Sequence, residues 1–467
     1  MHIMPDNNKN AVTTNTDGLQ SRHIAMIALG GVIGAGLFVG SSAAISVTGP
    51  AVLVTFLAVG ILVVLIMRML GEMVAAHPGK GSFVAYIRAS FGPRLGFTAG
   101  WLYWFFWIVV LGSEAIAGAL IVQDWLQLPI WVLAIGLIII LKLINFAAPR
   151  VFGECEFWLS LIKVMSILLF IGIAALFVGH VFGPGVPAAS NFLGHGGFFP
   201  FGPASVLAIV PTILFTMMGS EIATVAAAES HEPGQNVARV TRSIGARVTL
   251  FYLASVAMVL LVVPWQNIEP GKSPFVTAMD VMGIPGAGVI MRIIVLSAIL
   301  SCMNSSMYVT SRILTELAAS GDAPARLART GKTETPRLAV VISSIAGTLV
   351  AFSSILAPDT IFAFLLSCSG GVILVVYSMI VAAYICTRGR AEKTGDTANY
   401  TLLLFPYINY GTLIAVTLVF IAMLWGHNER MTAIASLSTS LACYALACLI
   451  TRRTAQEQTV LSDKKTA

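Results

Sequence analysis

Residues 30–40 read Gly-Gly-Val-Ile-Gly-Ala-Gly-Leu-Phe-Val-Gly, which places five glycines within eleven positions of an otherwise apolar stretch. Each glycine inside a helix costs about 1 kcal/mol relative to alanine. The stretch is therefore predicted to be a helix with a weak middle. On spacing alone two explanations stay open. Gly30 with Gly34 and Gly36 with Gly40 match the G-x-x-x-G pattern of close helix packing, and the same glycines also permit unwinding.

The composition around this stretch is that of an integral membrane protein. Hydrophobic residues make up 57% of the 467 residues and charged residues only 10%, whereas soluble proteins carry about 25% charge. A hydrocarbon core of about 30 Å needs roughly 20 apolar residues per helix. The apolar runs predict an all-α protein with twelve membrane spans, at 24–47, 51–75, 95–122, 130–146, 157–178, 204–228, 248–263, 287–318, 338–355, 361–386, 402–425 and 431–450.

The basic residues predict the orientation of these spans. Of the 27 lysines and arginines, 21 fall in loops on one side, three in loops on the other, and three inside spans. By the positive-inside rule, both termini are cytoplasmic. The chain then divides into an N-terminal tail (1–23), a transmembrane domain (24–450) and a cytoplasmic C-terminal tail (451–467). Because the basic residues are scattered and form no stripe or arm, we expect no nucleic-acid partner.

A second interruption occurs in the sixth predicted span, where residues 217–221 read Met-Met-Gly-Ser-Glu. It lies five spans after the first and enters the membrane from the opposite side. Interrupted helices at corresponding positions of two halves indicate the inverted repeat of a transporter, with the substrate site at the breaks. Unwound backbone offers N–H groups to a carboxylate and carbonyl groups to an ammonium ion. The pattern therefore predicts a site for a zwitterion.

Three charged residues lie deep in predicted spans: Lys163, Glu114 and Glu221. A charge at this depth costs at least about 2.5 kcal/mol on insertion scales, so each is a candidate functional residue. Lys163 lies six residues beyond the start of the fifth span, or roughly 9 Å along it. We expect Lys163 to gain and lose a proton during transport; the alternative is a permanent structural cation. Glu114 and Glu221 are interpreted either as proton carriers or as hydrogen-bonding struts.

Other acidic residues lie near span ends. Glu72, Glu154 and Glu156 are predicted to be gating or structural charges at the cytoplasmic face, since loop pairing suffices there. The six cysteines show neither a pairing pattern nor metal-ligand spacing, so we interpret them as reduced packing residues and expect no metal site. No nucleophile and base pair or soluble catalytic domain points to an enzyme.

The eighth predicted span carries polar residues on one face. Ser301, Asn304 and Ser305 are spaced at i, i+3 and i+4, which places them together on a helix. Such a stripe must avoid lipid. It either forms hydrogen bonds between helices or lines an ion or substrate pathway.

Several sequence blocks together resemble bacterial amino acid permeases of the amino acid–polyamine–organocation superfamily. The chain is identified as a member of its amino acid transporter family and looks most similar to the γ-aminobutyrate permeases. The blocks are GGVIGAGLFVGS (30–41), MRMLGEM (67–73), WLYW (101–104), GECEFW (153–158), MGSE (218–221), AAAES (226–230) and SCMNS (301–305).

This resemblance implies a LeuT-type fold of two inverted five-helix repeats, about 24–179 and 203–387, followed by two further helices at about 402–450. It also implies that the first broken helix binds the substrate carboxylate and that the sixth span adds further contacts. Lys163 matches a fifth-helix lysine that occupies the sodium position of sodium-coupled relatives. The implied substrate-binding residues are Ile33, Gly34, Ala35, Gly36, Thr216, Met218, Gly219 and Ser220.

The function implied by the resemblance is import of an amino acid across the bacterial cytoplasmic membrane, driven by the proton gradient without a cofactor. γ-Aminobutyrate or a related ω-amino or neutral amino acid is the expected substrate. An antiporter of the same fold and an importer of proline or aromatic amino acids stay open. A channel is disfavoured because the polar features concentrate at two breaks and do not form rings along a pore. The sequence leaves the oligomeric state open.

Overall fold

The computed structural model consists of helices joined by short connections. Its described residues contain no β-strand. They are 26, 32–77, 82–146, 149–183, 185–219, 221–222, 249–329, 335–355, 358–395, 401–426 and 430–466.

We number the α-helices in chain order. They are α1 (Ser41–Thr48), α2 (Val52–Ala76), α3 (Phe83–Phe91), α4 (Pro93–Leu126), α5 (Ile130–Ile144), α6 (Pro149–Val178), α7 (Ala188–Leu193), α8 (Ser205–Ala208), α9 (Val210–Thr216), α10 (Thr249–Val262), α11 (Pro274–Val281), α12 (Ala287–Ala319), α13 (Arg337–Phe352), α14 (Pro358–Thr394), α15 (Tyr407–Trp425) and α16 (Arg430–Thr466).

These helices confirm an all-α membrane protein. Seven helical stretches in the described part of the chain are long and apolar enough to cross a membrane, and α5, α10 and α13 are shorter apolar helices. Where the structure describes them, the first and sixth predicted spans are interrupted. Twelve spans, and the division of the chain into two repeats and two tails, stay predictions.

Helix α4 is the centre of the bundle. It packs most extensively against α12 and also contacts α14, α5 and α3. Most of its residues from Leu102 to Ala119 are buried. Helix α14 in turn packs against α9, α16 and α2. The chain segments around the two interruptions are therefore held between helices that are distant in sequence.

Both interruptions occur where the glycines predict them. In the first, Ile33 and Gly34 leave the helical conformation, and the chain continues as a π-helical turn over Gly36–Gly40. Such turns are rare and often occur at functional sites. In the second, α9 ends at Thr216, and Gly219 has a φ of 119°, which favours glycine. Ser220 and the predicted block at 226–230 lie outside the described residues.

Three helix boundaries differ from the prediction by eight residues or more: the start of α6 and the ends of α14 and α16. Helix α6 begins at Pro149, eight residues before the predicted start at 157, so Glu154 and Glu156 lie within a helix and not at its end. The reason is that Glu156 is compensated inside the bundle, as described below. Helix α16 continues past 450 to Thr466, so most of the predicted C-terminal tail is helical. Helix α3, between the second and third spans, was not predicted.

Candidate functional site

The two interruptions lie against each other. A Cβ atom built on Gly36 would lie 2.8 Å from the Cα atom of Thr216, closer than real Cβ atoms approach a backbone. A Cβ atom on Gly34 would lie 2.6 Å from a carboxylate oxygen of Glu114 and 2.8 Å from the sulfur of Cys302. The two explanations left open by the glycine spacing are therefore both correct. Gly34 lies in the unwound segment, and both glycines permit close approach.

Two charged side chains take the backbone groups that the first interruption frees. In a continuous helix the Ala35 N–H would bond to residue 31 and the Ile33 carbonyl to residue 37. Instead, the Ala35 N–H donates to Glu114, whose two carboxylate oxygens both lie 3.0 Å from the nitrogen. The Nζ of Lys163 donates to the Ile33 carbonyl at 3.0 Å. Buried backbone groups need such partners, and here two ionisable side chains supply them.

A third buried side chain takes the N–H group freed by the second interruption. The Gly219 N–H donates to Oε2 of Glu221 at 3.2 Å. The hydroxyl of Tyr103 on α4 donates to Oε1 at 3.1 Å, and that of Tyr377 on α14 donates to Oε2 at 3.3 Å. Glu221 has no exposed surface. Three donors from three different segments therefore surround this carboxylate.

Tyr252 on α10 connects the two interruptions and was not singled out from the sequence. Its hydroxyl lies 2.9 Å from the Val32 carbonyl oxygen and 2.5 Å from that of Thr216. A hydroxyl has one proton, so it donates to one of these carbonyls at a time. The Tyr252 ring is fully buried and packs against Phe56 of α2. A tyrosine in an apolar span has no unusual cost, which is why the sequence did not reveal it.

A narrow cavity lies beside the interruptions. Gly36, Thr216 and Met218 line it, so three of the predicted substrate-binding residues contribute to its wall. The buried indole N–H of Trp107 has no hydrogen-bond partner among the described residues, and Trp107 also lines the cavity. The remaining lining residues are Val32, Phe106, Val110, Glu114, Phe215 and Cys302.

Lys163 belongs to a buried polar network. It lies 14 residues beyond the start of α6, or roughly 21 Å along the helix, and is fully buried. Its Nζ is 4.0 Å from Oε1 of Glu156. Glu156 accepts hydrogen bonds from Ser301 on α12, from Ser160 at 3.3 Å and from Asn304 at 3.4 Å. Glu156 was expected at the start of its span, but it lies seven residues inside α6 and is fully buried beside Lys163, while its assignment as a gating or structural charge stays a prediction.

The polar stripe of α12 faces the protein interior. Ser301 and Asn304 contact Glu156, and Asn145 of the segment after α5 donates to Asn304 at 2.7 Å. The buried Ser305 hydroxyl has no hydrogen-bond partner among the described residues. Hydrogen bonding between helices thus accounts for two of the three residues. A role of the stripe in an ion pathway stays a prediction.

Glu72 links α2 to α14 and to the segment before α15. It accepts hydrogen bonds from the Tyr384 hydroxyl at 2.6 Å and from both the backbone and the hydroxyl of Thr401, at 3.0 and 2.9 Å. Arg388 donates to Tyr384 and to the Leu402 carbonyl. These contacts fit the structural alternative for Glu72. Glu154 is half-buried in α6.

Cys302, one of the cysteines interpreted as reduced packing residues, lies at the first interruption. All six cysteines are free thiols. Cys302 is buried, lines the narrow cavity and lies against Gly34. Within the described ranges, no group of three histidine, cysteine, aspartate or glutamate side chains is placed to hold a metal ion.

A larger cavity of about 670 Å³ lies one helical turn from the narrow one. Val39 and Ala117 line it, each three residues beyond a residue of the narrow cavity, Gly36 and Glu114 respectively. Its charged lining residues are Asp124, Glu269, Lys272, Asp280 and Arg292. The large cavity therefore leads from one end of the bundle towards the interruptions.

The apolar bundle, the paired interruptions and the buried charges define a multi-pass membrane transport protein. The amino acid permease family model matches residues 23–453, and the chain belongs to this family.

The chain is also similar to individual proteins over most of its length. It is 42% identical to the gamma-aminobutyric acid permease of Bacillus subtilis (strain 168), over 88% of each protein. It is 37% identical to the gamma-aminobutyric acid permease of Escherichia coli (strain K12), over 93% of each. Among solved structures, the Eremococcus coleocola manganese transporter shares its fold, with a TM-score of 0.56 at 13% identity over 93% of this chain and 94% of the other. The protein is an amino acid transporter.

Proposed function

We propose that the protein imports γ-aminobutyrate, or a related ω-amino or neutral amino acid, by proton symport across the bacterial cytoplasmic membrane. The observation that carries the proposal is the pair of adjoining interruptions beside a cavity, because they concentrate at one point backbone donors and acceptors that have no partner within a helix. The names of the two relatives support γ-aminobutyrate in particular.

The substrate-binding residues in this proposal are the predicted ones. The N–H groups of Ala35 and Gly36 bind the substrate carboxylate. The carbonyls of Ile33 and Thr216 bind the ammonium group, because a helix break leaves both kinds of group without helical partners. Met218 and Gly219 shape the wall, and Ser220 is proposed from the sequence alone.

Lys163 and Glu114 are proposed to couple protons to substrate. A lysine ammonium group that is buried away from water needs polar partners to keep its charge. For Lys163 these partners are the Ile33 carbonyl and the Glu156 carboxylate. When Lys163 loses a proton, its hydrogen bond to the Ile33 carbonyl weakens, and this carbonyl then binds the substrate ammonium group more strongly. Glu221 is held by three donors, which favours a positioning role over proton transport.

The proposed orientation gives the side from which the substrate enters. With both termini cytoplasmic, the end of α4 near Asp124 faces the exterior, and so does the large cavity that Asp124 lines. A substrate from outside then reaches the narrow cavity after passing one turn of helix. Movement of that turn opens the path.

Uptake into proteoliposomes tests the proposal. Labelled γ-aminobutyrate is offered to empty vesicles with and without an imposed pH gradient, and to vesicles that are preloaded with unlabelled amino acid. Symport predicts accumulation in empty vesicles that follows the pH gradient. Uptake that requires internal amino acid identifies an antiporter, and competition by proline or aromatic amino acids more strongly than by γ-aminobutyrate rejects the proposed substrate.

A further inference from the structure

The first interruption already holds a carboxylate at the position proposed for the substrate carboxylate. Both oxygens of Glu114 lie 3.0 Å from the Ala35 nitrogen. When Glu114 is ionised, this hydrogen bond is charge-assisted and roughly twice as strong as a neutral one. The Ala35 N–H has a single proton, so a second carboxylate binds there only after the first has left.

Glu114 is also placed where a substrate would meet it. It is 2% exposed and lies on the wall of the narrow cavity, together with Gly36, Thr216 and Cys302. Its oxygen would touch even a methyl group on Gly34, so the carboxylate fills the space next to the unwound segment. Glu221, by contrast, is not among the residues that line this cavity.

Lys163 also bonds to a backbone group of the first interruption, but unlike Glu114 it need not leave when the substrate binds. A carbonyl oxygen has two lone pairs, so the Ile33 carbonyl can accept from Lys163 and from a substrate ammonium group together. An N–H group cannot be shared equally well between two carboxylates. Displacement is therefore obligatory at Ala35 and optional at Ile33.

We propose that Glu114 is an internal substitute for the substrate carboxylate, and that substrate binds by displacing it from Ala35. This inference rests on the proposed function, because it takes an amino acid to bind at the interruption. In the absence of substrate, Glu114 satisfies the freed backbone. When the substrate binds, its carboxylate replaces that of Glu114 at Ala35. The affinity for the substrate is therefore lowered by the free energy of the hydrogen bonds that Glu114 loses.

The exchange is tested by equilibrium binding to purified protein, with γ-aminobutyrate, butyrate and n-butylamine as ligands. Butyrate keeps only the carboxylate and n-butylamine only the amine. Glu114→Gln is a weaker competitor for Ala35, so we expect it to bind γ-aminobutyrate and butyrate about tenfold more tightly, the scale of one charge-assisted hydrogen bond. Binding of n-butylamine stays unchanged. A purely structural role for Glu114 predicts weaker binding of all three.

Glu114→Asp separates displacement from charge repulsion. It keeps the charge but is one methylene shorter, so it withdraws from Ala35. Displacement predicts tighter butyrate binding in this variant too, whereas repulsion between two carboxylates predicts no gain. Glu392→Gln, on the partly exposed end of α14, is the matched control and leaves all three affinities unchanged. Thermal unfolding identifies folded preparations, and the Asp variant tests the inference even where the Gln variant is unstable.

The outcomes separate this inference from the proposed function. Tight γ-aminobutyrate binding by the wild type with weaker binding by both Glu114 variants rejects the displacement and keeps the proposed substrate. Wild-type binding of butyrate without binding of γ-aminobutyrate, together with tighter butyrate binding by Glu114→Gln, rejects the substrate and keeps the displacement. An equal shift for butyrate and n-butylamine overturns the displacement in either case.

Discussion

Each of the two interrupted segments has a buried backbone N–H group that needs a hydrogen-bond acceptor. The two acceptors lie in different surroundings. In each, a buried glutamate accepts the hydrogen bond of a freed N–H: Glu114 from Ala35 and Glu221 from Gly219. Glu221 is further held by two tyrosine hydroxyls, whereas Glu114 lies on a cavity wall. A carboxylate that several fixed donors hold is a strut, and one that faces a cavity can be exchanged. We therefore propose different roles for the same residue type at the two positions.

Gly34→Leu is expected to have the largest effect, because a leucine side chain does not fit beside the first interrupted segment. Even a Cβ atom at this position would lie 2.6 Å from Glu114, and a leucine adds three more carbons. Uptake is expected to fall to that of vesicles without protein. Gly411→Leu on α15 is the matched control, since nothing lies within 4 Å of a Cβ atom there. Normal uptake by Gly34→Leu would refute the assignment of the first segment to the substrate site.

Lys163→Ala is expected to remove gradient-driven accumulation while leaving much of the binding. The Ile33 carbonyl loses a donor and Glu156 loses its nearest cation, but Ser301 and Asn304 still bond to Glu156. The accumulation ratio in proteoliposomes should fall to one, whereas Kd is expected to change by less than about tenfold, or 1.4 kcal/mol. Lys393→Ala is the exposed control. Unchanged pH-dependent accumulation by Lys163→Ala would remove this lysine from the coupling mechanism.

Glu221→Gln is expected to lower the thermal stability of the protein, whereas Glu114→Gln is expected to change ligand binding. The new amide has one acceptor oxygen in place of two, so it no longer accepts from all three donors, and leaving a buried donor without an acceptor costs about 1–3 kcal/mol. Thermal unfolding in detergent should therefore occur at lower temperature for Glu221→Gln than for Glu114→Gln. If both variants unfold at the wild-type temperature, Glu221 is not a strut and the contrast between the two segments is lost.

The sequence predicts the interruptions because glycine and membrane-depth charge are both costly. Gly34, Gly219, Glu114 and Glu221 stand out in apolar helices, and each lies at an interruption. Paired positions five spans apart then indicate that the two segments work together.

The partners of these residues are harder to predict. Tyr252 and Cys302 are ordinary residues in an apolar helix, so nothing in their local sequence marks them. Glu156 was expected nearer a helix end than it lies, because charge near an expected span end suggests a loop. A usable signal was present, since Glu156, Ser160 and Lys163 are spaced at i, i+4 and i+7 and so share one helix face. The identity of the partner on α12 depends on packing between distant helices, which local patterns do not encode.

Tyr252→Phe is expected to have the smallest effect and tests whether the two segments act as one. The change removes only the hydroxyl that lies 2.9 Å from the Val32 carbonyl and 2.5 Å from the Thr216 carbonyl, and keeps the ring against Phe56. Losing one such hydrogen bond costs about 1 kcal/mol, or roughly a fivefold change. If the hydroxyl aligns the two segments for substrate, KM for γ-aminobutyrate rises about fivefold and the unfolding temperature stays near that of the wild type. Tyr444→Phe, on the exposed side of α16, controls for loss of a hydroxyl elsewhere. A lower unfolding temperature with unchanged KM would mean that Tyr252 only holds the helices together, and the two segments would then recognise substrate independently.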